Sequence, residues 1–66
     1  MNDLYQSINS LMSLRKNTKN IDLKLILNRE LDEAGIVYNP FDDSWLIKED
    51  SLNEAAIFSL YEQYFG

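Results

Sequence analysis

Leu4, Ile8, Leu11 and Met12 fall on one face of a helix, with Leu14 just off the stripe, and this spacing predicts a first helix over residues 3–16. Tyr5 flanks the face. Asp3 near its start and Arg15 and Lys16 near its end suit the helix dipole. The run Lys16-Asn17-Thr18-Lys19-Asn20 breaks the periodicity, because short polar side chains compete for backbone hydrogen bonds. A second apolar face follows at Leu23, Ile26, Leu27, Leu31 and Ala34, predicting a helix over 21–34 with Asn20 or Thr18 as its cap. Gly35 stands where a left-handed residue closes a helix, with Leu31 and Ile36 placed as the apolar pair of a Schellman ending.

The stretch from Ile36 to Lys48 changes period. Ile36, Val37 and Tyr38, then Trp45, Leu46 and Ile47, are strand formers. Asn39, Pro40, Asp42, Asp43 and Ser44 between them are turn residues. The expectation is a hairpin over 36–48, in which alternation sets Ile36 and Tyr38 against Val37 in the first strand and Trp45 and Ile47 against Leu46 and Lys48 in the second. Ser51, three residues before Glu54, reads as a capping box that opens a last helix over 52–65. That helix has an unusually wide apolar arc of Ala56, Ile57, Phe58, Leu60, Tyr61, Tyr64 and Phe65, leaving Ser59, Glu62 and Gln63 for solvent.

These elements predict one α+β domain of order α-α-β-β-α, with a two-stranded antiparallel hairpin packed on three helices, since a two-stranded ribbon does not hold alone. At 66 residues the chain has room for a single domain. A domain of that size buries about 60% of its unfolded surface and is only marginally stable. Starting at Met1 with no tag-like run, the chain is expected to be a complete small protein. Its N-terminal stretch lacks the apolar run of a signal peptide, and nothing approaches a membrane span. With no cysteine, the expectation is a cytoplasmic protein without disulfides.

Charge sharpens the picture. The net charge is −5, and it is unevenly spread. Residues 1–20 carry Arg15, Lys16 and Lys19 against Asp3, net +2, whereas residues 21–66 carry Lys24, Arg29 and Lys48 against ten acids, net −7. Nucleic-acid binders show the opposite bias, because phosphate contacts supply much of their affinity. The preferred partner is therefore a basic surface, with no direct nucleic acid and no membrane.

Five candidate sites emerge. The acids Asp42, Asp43, Glu49, Asp50 and Glu54 cluster in sequence, but an EF-hand loop starting at Asp42 would need Leu46 at position five and Ile47 at position six, and one starting at Asp43 would need Trp45 at position three. Turn and cap chemistry explains these acids better than a metal, and no cofactor is implied. Asn39-Pro40-Phe41 matches a tripeptide that some eukaryotic adaptor domains bind in a turn, yet an Asn-Pro turn with a buried Phe accounts for it equally well. Two helices followed by a hairpin loosely suggest a winged helix. However, residues 21–34 offer Lys24 and Arg29 against Asp22, Glu30, Asp32 and Glu33, a poor recognition helix. Without histidine or cysteine, and with a chain too small to enclose a cleft around two carboxylates, an enzyme is not expected. Finally, Trp45, Phe58, Tyr61, Tyr64 and Phe65 either fill the core against Leu23, Ile26, Leu27 and Leu31 or form a partner surface or homodimer seam.

In composition the chain is similar to small phage or mobile-element proteins of AT-rich bacteria, being short, acidic and rich in Asn, Lys, Ile, Leu and Tyr. That resemblance implies binding and blocking of a host nucleic-acid enzyme, a CRISPR effector or a transcription factor, in some cases by DNA mimicry. It assigns no residue a role. The residues point to the same class: a protein-binding inhibitor that presents Asp32, Glu33, Asp42, Asp43, Glu49, Asp50 and Glu54 to a basic partner, with Trp45, Tyr61, Tyr64 and Phe65 as apolar anchors. The alternatives are a winged-helix-like DNA-binding regulator using Arg15, Lys16 and Lys19, and a structural homo-oligomer built on the last helix.

Overall fold

The computed structural model describes residues 3–66, in the order α1 (Leu4–Asn17), α2 (Ile21–Glu33), β1 (Ile36–Asn39), β2 (Ser44–Ile47), a single 3-10 turn (Glu49–Ser51) and α3 (Glu54–Phe65). This is the expected α-α-β-β-α order with a two-stranded antiparallel sheet. Asp3 is the N-cap of α1 rather than its first residue: its carboxylate accepts from the Gln6 N–H at 2.7 Å, and the Gln6 side chain accepts in return from the Asp3 N–H. Asn20 caps α2 by accepting from the Leu23 N–H at 3.2 Å, while Thr18 Oγ1 accepts from the Asn20 N–H.

The core is wholly aliphatic. Ile8 and Leu11 come from α1, Leu27 and Leu31 from α2, Ala34 and Ile36 from the α2–β1 junction, and Ile57 and Leu60 from α3. The expectation that aromatic side chains fill this core against α2 does not hold. Helix α3 packs chiefly on α1, so its aromatics cannot reach the α2 face, and Ile26, expected inside, is 48% exposed. Tyr64 alone among the α3 aromatics packs against the core edge, where Trp45 also lies half-buried.

Gly35 adopts φ +97°, a conformation that side chains disfavour, and its N–H donates to the Asp32 carbonyl at 3.0 Å. Its own carbonyl accepts from the Lys48 N–H at 2.8 Å, and the Ala34 carbonyl accepts from the Asn53 N–H at 2.9 Å. The end of α2, both feet of the hairpin and the entry to α3 are thus tied at one neck. In the sheet, Ile36 pairs with Ile47, Val37 with Leu46, Tyr38 with Trp45 and Asn39 with Ser44, which matches the alternation predicted within each strand.

The last helix starts later than the sequence pattern predicts. Ser51 is not its cap. Ser51 closes the 3-10 turn with an N–H donated to the Lys48 carbonyl, Leu52 is extended, and Asn53 caps α3 by accepting from the Ala56 N–H at 3.1 Å. The bond from the Asn53 N–H to the neck explains the shift. It fixes the chain direction at residue 53, and Asn at that position caps as well as Ser would.

Candidate protein-binding surface

The structure divides the candidate carboxylates into two groups. Sequence proximity suggested that Asp42, Asp43, Glu49 and Asp50 share one short hairpin with Trp45. Instead, Glu49 and Asp50 belong to the turn beyond the neck, and Asp42 and Asp43 sit at the opposite end of the strands. The neck bonds bring the end of α2 against the 3-10 turn and the start of α3, so Glu33, Glu49, Asp50 and Glu54 stand on or next to the joined segments, all of them exposed, whereas exposed Asp32 lines a cleft between α2 and the hairpin with Arg15, Arg29 and Tyr38. Helix α2 ends on Asp32 and Glu33 with no basic residue in its last turn, against the helix dipole, a placement that costs roughly 0.3–1 kcal/mol per charge. Arg29 offsets part of this through an ion pair with Glu33 at 3.5 Å, but both side chains are mostly exposed, at 83% and 66%. Such a pair contributes about 0.3–0.5 kcal/mol.

Tyr5, in the first turn of α1, reaches the same acidic end and donates its hydroxyl to Glu49 Oε1 at 3.2 Å. That hydrogen bond and the nearby negative charge of Glu49, with some help from Glu54, raise the Tyr5 pKa above its usual 10.0. The bond also holds the 3-10 turn against α1. Among the described residues, no three acidic side chains converge as a metal site would require.

The far end is different. Arg15 lies 3.8 Å above the centre of the Tyr38 ring and 6.0 Å from that of Trp45, and its Nε donates to Asn28 Oδ1 at 2.8 Å. Tyr38 and Trp45 pack tilted at 4.9 Å. Trp45, expected either as an apolar anchor or as core filling, is a half-buried clamp between the hairpin and α1. Tyr38 donates its hydroxyl to Asp43, which raises its pKa, while the Arg15 charge pulls the other way. The sequence offered no signal for the Arg15–Tyr38 contact, which links residues 23 positions apart.

At the hairpin tip, Phe41 is 98% exposed, contrary to the buried Phe expected of the Asn-Pro turn. The turn itself is as expected, with Asn39 Oδ1 accepting from the Phe41 N–H at 3.0 Å. On α3, Tyr61 and Phe65 stack at 5.0 Å and share a face with Phe58, and Phe58 and Phe65 are exposed at 40% and 47%. On α2, Ile21 and Leu25 are exposed at 71% and 61%. Among the described residues, no helix is long and apolar enough to cross a membrane. No protein-family model, curated protein or solved structure matches the chain.

Proposed function

We propose that this chain is a small acidic protein-binding regulator that works without catalysis, occluding a basic surface of a nucleic-acid-handling protein. The observation that carries the reading is the acidic neck. Glu33, Glu49, Asp50 and Glu54 arrive from three elements and are exposed, and Glu33, with Asp32 before it, opposes the dipole of α2. An arrangement that costs folding energy and leaves its charges largely unpaired suits a cationic partner, which would relieve the repulsion on binding. The exposed apolar side chains of α2 and α3 support protein contact over phosphate contact. The helix that a winged-helix reader would insert into DNA exposes Ile21 and Leu25 beside Asp22, Asp32 and Glu33.

The test is capture on the immobilised chain across a salt series, followed by titration of the captured protein's nucleic-acid binding with the purified chain. The expected result is stoichiometric loss of nucleic-acid binding and an affinity that falls steeply with salt. Replacing Glu49, Asp50 and Glu54 with lysine should abolish the effect. Retardation of random duplex fragments by the chain alone at modest salt would overturn the reading.

A further inference from the structure

Resting on this protein-binding function, we propose that the hairpin tip is a second, separate docking element in which Phe41 inserts into an apolar pocket of the partner, a pocket rimmed by Arg or Lys. Phe41 is 98% exposed, the most exposed large apolar side chain among the described residues. A lone exposed aromatic on a loose loop would mean little, but this loop is built to hold still. Asn39 accepts from the Phe41 N–H at 3.0 Å, and Pro40 fixes the φ angle between them. Asp42 accepts from both the N–H and the hydroxyl of Ser44. Asp43 takes the left-handed conformation at φ 56° and is held by the Tyr38 hydroxyl, whose ring is clamped in turn by Arg15 and Trp45. The polar side chains of the tip thus bind the tip itself, and Phe41 is the group left facing outward. A rigid aromatic loses little conformational entropy on binding, which is the character of an interface hot spot.

Charge selects the occupant. Asp42 and Asp43 follow Phe41 directly and make no ion pair among the described residues; Asp43 turns to the Tyr38 hydroxyl and the cleft that Arg15 and Lys16 also line, while the Asp42 carboxylate stays at the tip. A pocket for Phe41 therefore meets negative charge at its rim, chiefly that of Asp42. A second copy of this chain, at net −5, is a poor match for that rim.

The experiment places a photo-crosslinker at the tip as Phe41→p-benzoylphenylalanine, with the same group at Ser59 as a control, in the cell that makes the protein. The expected result is one crosslinked protein specific to position 41. Once that protein is purified, Phe41→Ala should weaken its binding by about 30-fold or more, while the variant keeps wild-type circular dichroism and unfolding. Asp42→Asn together with Asp43→Asn should flatten the salt dependence of the association rate. No crosslinked product, a product containing only this chain, or a Phe41→Ala variant that binds within about threefold of wild type overturns the proposal. A salt-sensitive partner unaffected by Phe41→Ala refutes the tip alone. A partner that depends on Phe41 but ignores the neck charges refutes the acidic reading instead.

Discussion

Replacing Gly35 with alanine should remove a large share of this protein's stability, and the reasons can be weighed one at a time. At φ +97° an L-residue is strained by about 1–2 kcal/mol. A Cβ there would lie 2.9 Å from the Ser51 carbonyl oxygen, 3.0 Å from Leu52 Cα and 3.1 Å from the Ser51 carbonyl carbon. All three are backbone atoms, so no side-chain rotation relieves the contact. The chain must open the neck, loosening the bonds from the Lys48 N–H to the Gly35 carbonyl and from the Asn53 N–H to the Ala34 carbonyl, each worth about 1 kcal/mol net. The sum is roughly 2–4 kcal/mol, set against the ~3–10 kcal/mol expected in total for a chain of this length. With a urea m-value of about 1 kcal/mol/M, the midpoint should fall by ~2–4 M, followed by far-ultraviolet circular dichroism and Trp45 fluorescence. Asparagine tolerates left-handed backbone but carries the same Cβ, so Gly35→Asn should behave like alanine and not like glycine. A midpoint shift below about 0.5 M for Gly35→Ala would refute the account of the neck.

Further outcomes follow from other contacts. Asn53→Ala should cost about 1 kcal/mol in urea unfolding as the α3 cap is lost, whereas Ser51→Ala should stay within about 0.5 kcal/mol. Ser7 is fully buried and its hydroxyl has no hydrogen-bond partner among the described residues, so Ser7→Ala should stabilise the fold by about 1 kcal/mol; a lower midpoint would contradict this. Arg15→Lys should cost about 1 kcal/mol and alter the near-ultraviolet signal of Trp45, because lysine can match neither the stacking on Tyr38 nor the directed bond to Asn28. Tyr5 and Tyr38 have raised pKa values because each donates to a carboxylate in the folded state. The folded value lies above the unfolded one, so their contribution is complete below about pH 10 and is lost as the pH climbs through the folded values. A spectrophotometric titration should show Tyr5 and Tyr38 ionising above pH 10, and Tyr5→Phe should remove one of these late components.

The element order was legible because each helix carries its own period and each break its own chemistry. Asp3 and Asn20 cap, Gly35 terminates, and Asn39-Pro40 turns, all by local backbone rules. Where the sequence misled, a long-range contact decided. Ser51 and Glu54 form a valid capping pattern, and only the tie from Asn53 to the end of α2 moves the helix start. The aromatic arc of α3 looked like core material because periodicity counts apolar positions without knowing which helix they will meet. The candidate carboxylates are exposed, but closeness along the chain concealed that a four-residue strand separates Asp42 and Asp43 from Glu49 and Asp50. Phe41 was missed for a related reason: a turn rule predicts the backbone and says nothing of where the side chain goes.

The closed neck has a consequence for how such a chain can change over generations. Residues 40–43 are all exposed and add nothing to the core, while the feet of the hairpin are secured by Ile36, Ile47 and the Gly35–Lys48 bond. Mutations at Pro40, Phe41 and Asp42 therefore touch no core contact, whereas Asp43 is tied to Tyr38, and doubling the loop would cost only about 0.6 kcal/mol in closure entropy. A lineage under pressure to follow a shifting target could rewrite positions 40–42 repeatedly while the scaffold stays fixed. An engineer could do the same, treating the hairpin as a socket for foreign loops on a 66-residue frame.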